Sequence, residues 1–335
     1  MSKITLKIKF LSFVLKALLP GAFTAFIAVD ALAQQVIYPD NRGKKHRTLL
    51  TRGDFVRHKV EKGLTYYHFQ GWDEISGAPQ TVYVTEVDLD CGKYDVKFVH
   101  GSDSTSAVAQ KYDAVAAINA TYERDASYIR VDGENLFEVS IPSDHLRFWK
   151  HDGAIIGDGA DSVAIVFGAC GAPATPQGGL QAQALYKSLS EKNVFSGSPM
   201  LIDDYIPVGA TFVPEGLTPE DIKKFRYEDY RRHQGNRHPR TAVALTDDNH
   251  LLLIVVDGRW DFASGMSARE LTLFLAKHFN PRWALNLDGG GSATMFIKGL
   301  GQHDTNVLNY PTDNKREDHY GQRRICTQIL VVKKS

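Results

Sequence analysis

Apolar and polar residues alternate along much of this chain, the period of a half-buried strand. The run Thr81-Val82-Tyr83-Val84-Thr85-Glu86-Val87-Asp88-Leu89 is rich in β-branched and aromatic residues, which suit a pleated, half-buried surface. Residues 94–99 repeat the pattern, so Asp90-Cys91-Gly92-Lys93 between them reads as a hairpin loop. Further strands are predicted at 114–118, 163–167, 241–245, 251–256, 284–287 and 327–332. Helical periodicity is scarcer. Ser267 with Glu270 three residues on forms a capping box. Leu271, Phe274, Leu275 and His278 then share one helical face, and Asn280-Pro281 ends the helix. Strand 251–256, this helix and strand 284–287 in succession predict two parallel strands joined by a crossover. The expected fold class is α+β: a sheet-rich mixed domain containing a βαβ unit, its strands flanked by a few helices.

Both strands of that unit run into Asp-Gly, at Asp257-Gly258 and Asp288-Gly289. Parallel strands end on the same side of the sheet, where open α/β sheets bind ligands. If the two are neighbours or next-neighbours, their ends lie about 5–10 Å apart. The turn Asp247-Asp248-Asn249 makes 241–245 and 251–256 a hairpin, with residue 240 opposite 256 or 257. Arg240 is therefore expected beside Asp257. Asn119 follows strand 114–118 and is a candidate for the same edge. The string DGGGSAT, from Asp288 to Thr294, sets three glycines after a carboxylate. Glycine weakens strands, but a glycine run can turn its N–H groups inward as an anion-binding nest and admit a ligand close to the backbone. Gly290 and Gly291 would form it, with hydroxyls from Ser292 and Thr294. Simpler readings exist for each part: a glycine turn capped by its own aspartate, an ordinary turn at Asp257-Gly258, and a structural ion pair from Arg240 to Asp257. Their convergence favours a site for a ligand with an anionic group and a reactive polar centre.

The ends of the chain bear on where it acts. Residues 1–33 have a lysine-rich start, an apolar stretch and Ala31-Leu32-Ala33 before Gln34, the pattern of a cleaved secretory signal. Lys16 within the apolar stretch disfavours a retained membrane span. Residues 34–70 read as an N-terminal extension and 71–335 as the main domain. The whole chain carries 39 basic and 39 acidic residues; without the signal's four lysines and one aspartate, 35 and 38 remain, a net charge of −3. Near-neutrality argues against nucleic acid as a partner. Cys91, Cys170 and Cys326 permit one disulfide, and their spacing selects no pair; none has the spacing of a zinc site. The segment GACGAPATPQGGLQAQ, residues 168–183, reads as a loop. The polar, basic HQGNRH, residues 233–238, fits either a solvated surface or the lining of an anion site.

The strings HPRTAVAL, VVDGR, ALNLDGGGSATMFIKG, NYPTD and GQRR, in this order and spacing, resemble the phosphodiester glycosidase family. The resemblance covers roughly residues 82–332 and is densest from His238 onward. One departure stands out: where the family commonly has N-G-G-F-F, this chain reads Asn119-Ala120-Thr121-Tyr122-Glu123. The resemblance implies hydrolysis of a sugar–phosphate diester at the bond between anomeric carbon and oxygen. Asp288 and Asp257 would then flank the anomeric centre, with Glu123 a further candidate acid or base. Arg240, Gly290, Gly291 and Ser292 would hold the phosphate, and Asn119 and Thr294 the sugar hydroxyls. The implied partner is a sugar phosphate or phosphoglycan, such as a wall polymer, capsule or exopolysaccharide, met outside the cytoplasm in a secreted or periplasmic setting. No cofactor is expected, though a cation such as Ca²⁺ or Mg²⁺ stays open. Two other classes remain open: a glycan-binding module of the same fold without catalysis, and a metal-dependent phosphoesterase built on Asp257, Asp288 and His238.

Overall fold

The computed structural model describes residues 55–122, 126–138, 149–159, 162–168 and 176–334. All belong to the compact unit Tyr38–Ser335. The signal segment, Glu123 and Cys170 lie outside the described residues. Sixteen strands and five helices form among the described residues.

The largest sheet has seven strands. In spatial order they are β1 (Val56–Glu61), β2 (Leu64–Asp73), β3 (Ala78–Asp88), β13 (His250–Val256), β12 (Arg240–Leu245), β14 (Trp283–Asn286) and β11 (Met200–Ile202). The segment expected as an extension up to residue 70 thus supplies β1 and most of β2. A second sheet of five strands runs β7 (Glu134–Phe137), β6 (Ile129–Val131), β10 (Asn193–Gly197), β8 (Gly153–Gly157) and β9 (Val163–Phe167). A third, of four, runs β15 (Met295–Ile297), β5 (Ala116–Asn119), β16 (Ile325–Lys333) and β4 (Tyr94–Asp103). The helices are α1 (Thr105–Lys111), α2 (Pro176–Ser188), α3 (Pro219–Lys224), α4 (Tyr230–Gly235) and α5 (Ala268–His278). None of them is long and apolar enough to cross a membrane.

The alternation in sequence becomes two faces of the large sheet. Val87, Val243, Leu251, Leu253, Val255 and Leu285 point into a core shared by all three sheets, with Ile118, Ile155, Phe195 and Ile329 from the other two. The intervening residues Val84, Ala242, Ala244, Leu252 and Ile254 face α5 through its Leu271, Phe274 and Leu275. Each such large side chain, fully buried, contributes about 1.5–3 kcal/mol. The predicted capping box starts α5: Ser267 accepts from the Glu270 N–H, and Glu270 accepts from the Ser267 N–H.

β13 and β14 are both antiparallel to β12, which lies between them, and so are parallel to each other. The βαβ unit is present with its strands as next-neighbours, and Asp257 and Asp288 follow on the same edge of the sheet. Two local expectations are corrected. Asp90-Cys91-Gly92-Lys93 does not close a hairpin: β3 is paired on both sides, with β2 and β13, so the chain leaves the sheet and β4 joins another. The expected loop 168–183 gives way to α2 from Pro176 onward. Ala182 and Tyr186, one helical turn apart, bury against Tyr128, Ala154, Ile156 and Val194. That packing outweighs the helix penalty of two glycines, about 1 kcal/mol each. Cys91 is a free thiol.

Candidate active site

Arg240 stands opposite Val256, the register expected of the hairpin. Side chains alternate across a strand, so Asp257, one residue further, points to the opposite face, and the expected Arg240–Asp257 pair is not made. Arg240 is 1 % exposed. Its guanidinium donates to the carbonyls of Met266 (2.8 Å), His233 (3.0 Å) and Asn236 (2.9 Å) and to Gln234 Oε1 (2.8 Å). Burial lowers its pKa to about 10, which leaves it charged at neutral pH. Asp257 accepts from Asn309 Nδ2 (3.0 Å) and from the Tyr310 N–H (3.1 and 3.2 Å). Burial pushes its carboxyl up to about 6, with Asn309, Tyr310 and Tyr83 holding it part-way back.

Asp288 instead borders a small polar cavity of about 80 Å³ at the ends of β12 and β14, room for a few waters or one compact anion. Around it stand Arg259, Arg323, Lys150, His233, His238 and the glycines 289–291, with Arg240 in its wall and Tyr227 at its rim. Lys150 is paired with Glu228 (3.0 Å) and Arg323 with Asp313 (2.5 Å). Arg259 makes no ion pair among the described residues; its Nη1 donates to Thr312 Oγ1 (3.1 Å). Arg259 also holds φ at 69°, a left-handed backbone that costs a bulky residue about 1 kcal/mol or more. Such strain persists where the surroundings fix it. Both histidines are neutral: burial, then the charge of Arg240, drives His233 far below its ordinary range and His238 to about 3. His238 Nδ1 is buried without a partner. Excess positive charge, depressed histidines and an orphaned ring nitrogen together suit an anion.

The glycine loop is built for close approach, and one of its amides is already spent within the fold. A Cβ on Gly289 would lie 2.4 Å from the Pro239 carbonyl oxygen. Gly290 has φ 61°, and its N–H donates to that same carbonyl (2.8 Å), so this amide is not offered to a ligand. Ser292 is buried and its Oγ has no partner. Asn119 and Thr294 are likewise turned inward. Asn119 Nδ2 donates to the Asp288 carbonyl (2.6 Å), while its Oδ1 accepts from Thr241 Oγ1 (2.7 Å) and the Thr294 N–H (3.1 Å). Thr294 Oγ1 donates to the Ser292 carbonyl (3.1 Å). These two pin the Asp288 turn between two sheets, where the sequence suggested contacts to sugar hydroxyls.

Of the residues named from sequence, the structure brings Asp288, Gly290, Gly291 and Arg240 to one cavity and sets Asp257 apart. Of the two readings of HQGNRH, the structure gives the lining, through His233 and His238. Arg259, Arg323 and Lys150 are not singled out by the sequence; Arg259 and Arg323 stand in the strings VVDGR and GQRR, so a signal was there, and for Lys150 there was none. The set Asp257, Asp288 and His238 does not converge on one point, and among the described residues no group of three His, Cys, Asp or Glu side chains is placed to hold a metal ion.

A carboxylate beside a basic, glycine-walled cavity at the carboxyl ends of parallel strands suits a phosphorylated ligand. The phosphodiester glycosidase profile matches residues 112–332, and the chain belongs to that family. Over 124 residues, 37% of this chain, it is 29% identical to N-acetylglucosamine-1-phosphodiester alpha-N-acetylglucosaminidase of Bos taurus, a stretch that spans 22% of the bovine protein. The fold is similar to the zebrafish N-acetylglucosamine-1-phosphodiester alpha-N-acetylglucosaminidase catalytic domain auto-inhibited by its pro-peptide, with TM-score 0.54 and 20% identity over 87% of this chain and 94% of that one. It is also similar to a hypothetical protein from Synechocystis, with TM-score 0.53 and 14% identity over 84% and 64% of the two chains.

Proposed function

We propose that this chain is a secreted or periplasmic hydrolase that cleaves a sugar-1-phosphodiester, in a glycan or glycoconjugate, between the anomeric carbon and its oxygen. The observation that carries the reading is the cavity where Asp288 meets Arg259, Arg323 and two neutral histidines. A leaving phosphate monoester has its last pKa near 6, so it departs with less protonation than an alcohol needs. The catalytic demand falls on two tasks. Asp288 steadies positive charge developing at the anomeric carbon or attacks it. Arg259, assisted by Arg323, holds the phosphate through charge-assisted hydrogen bonds. Tyr227, exposed on the rim, offers a ring face to the sugar. Asn119 and Thr294 act as positioning residues for the Asp288 turn. Glu123, four residues beyond Asn119 in sequence, stays the candidate for a second carboxylate.

The family and the bovine relative's name favour N-acetylglucosamine-1-phosphate diesters as first substrates. The experiment follows release of a phosphate monoester from such a diester with a coupled phosphatase. Wild type turns it over, and Asp288→Asn, nearly isosteric, loses most turnover at an unchanged melting temperature. Near-normal turnover by Asp288→Asn overturns the assignment.

A further inference from the structure

A second cavity, about 430 Å³, opens on the first three strands of the large sheet. That volume lies within the usual range for small-molecule sites, about 300–1,000 Å³. Its floor follows from strand register. His58 pairs with Tyr66 across β1 and β2, and His68 pairs with Tyr83 across β2 and β3. Tyr66, His68 and Gln70 are two residues apart, so all five rings and amides point to one face. The rings form a ladder: His58 to Tyr66 at 5.8 Å and 16°, Tyr66 to His68 at 6.3 Å and 13°, His68 to Tyr83 at 4.9 Å and 22°. Tyr310, its ring centroid 4.3 Å from that of His319 at a tilt of 36°, also lines the cavity.

The chemistry of this lining is distinct from that of the basic cavity. Among the described residues its lining has no Asp, Glu, Lys or Arg, which suits an uncharged ligand. His68 is held below its ordinary pKa by burial and by His58, and its Nε2 is buried without a partner. Ring edges with hydroxyl, imidazole and amide tips, beside the apolar Leu300 and Leu308, match a pyranose ring, which has an apolar face and a rim of hydroxyls. We infer that this cavity is a saccharide-binding site for neutral pyranose units, separate from the site at Asp288. Only a short segment divides the two: Tyr310 lines the aromatic cavity, while Thr312 accepts from Arg259 of the basic one. A glycan chain held here is anchored next to the catalytic cavity. The anchoring rests on the hydrolase reading; the binding itself does not.

The test is titration of the whole protein with maltohexaose and with chitohexaose, read by saturation-transfer NMR and calorimetry. Wild type should bind at least one probe saturably. His58→Ala and Tyr310→Ala should each weaken that binding at least tenfold, while turnover of a monosaccharide-1-phosphodiester stays within twofold of wild type. His58 is exposed, so its substitution leaves the core intact. Failure of wild type to bind either probe overturns the proposal, as does binding that survives both substitutions. Binding without phosphodiester turnover keeps this site and sinks only the hydrolase reading.

Discussion

Asp257→Asn separates a buried structural carboxylate from a catalytic one. Asp257 is 1 % exposed and lies away from the cavity of Asp288. Its carboxyl is held at about 6 in the fold against an ordinary 3.8, chiefly by burial. Between those values the folded protein binds more protons than the unfolded chain, so stability falls as pH rises. The contribution is fully present below pH 3.8 and lost above about pH 6. At 1.36 kcal/mol per pH unit the full difference is about 3 kcal/mol, of which about 2 kcal/mol is lost between pH 4 and pH 7. Asparagine keeps one oxygen for Asn309 and the Tyr310 N–H and does not titrate. Urea unfolding of both proteins at pH 4, 5, 6 and 7 measures the effect. The variant should gain on wild type by about 2 kcal/mol across that range, with turnover retained. Parallel stability profiles refute the electrostatic argument. Lost turnover at undiminished stability returns Asp257 to the chemistry.

Arg240→Lys should lower the melting temperature and reduce turnover of a sugar phosphodiester and of an uncharged aryl glycoside alike, because the guanidinium ties Met266 to the 233–236 segment and does not reach for a ligand. A loss confined to the phosphodiester makes it a phosphate clamp instead. Arg259→Gln should give that second pattern: about 1.5–3 kcal/mol of lost transition-state binding for a charged hydrogen bond, roughly tenfold to a hundredfold in kcat/KM, on the phosphodiester alone. Anion binding should raise the proton affinity of His233 and His238, whose depression comes partly from the nearby cations. Calorimetry of Asp288→Asn at pH 4 in buffers of different ionisation enthalpy should therefore record proton uptake with a sugar phosphodiester, whose charge does not titrate there, and no uptake contradicts the placement of the phosphate beside them.

The parts of this fold that one or two elements specify could be read from sequence. The α5 capping box, the Arg240–Val256 register and the shared edge of Asp257 and Asp288 all follow from local periodicity and turn residues. What failed was parity and distance. Arg240 and Asp257 are a register step apart, and one step in a strand reverses the face. Asn119 was recognised as lying at a strand end, but its partners Thr241 and Thr294 come from elements more than a hundred residues away in sequence. Its amide is spent on the fold rather than on substrate. Lys150 and Tyr227 reach the cavity from segments with no pattern of their own. The ring ladder of His58, Tyr66, His68 and Tyr83 needs the pairing of three strands before it exists.

The central claim is that the bond broken joins the anomeric carbon to oxygen, with Asp288 at that carbon. Hydrolysis of N-acetylglucosamine-1-phosphodiester in ¹⁸O-labelled water tests it directly. Label is expected in the anomeric hydroxyl of the released sugar, none in the phosphate monoester, and no labelled product above background with Asp288→Asn. Label in the phosphate would mean attack at phosphorus, and would contradict the account.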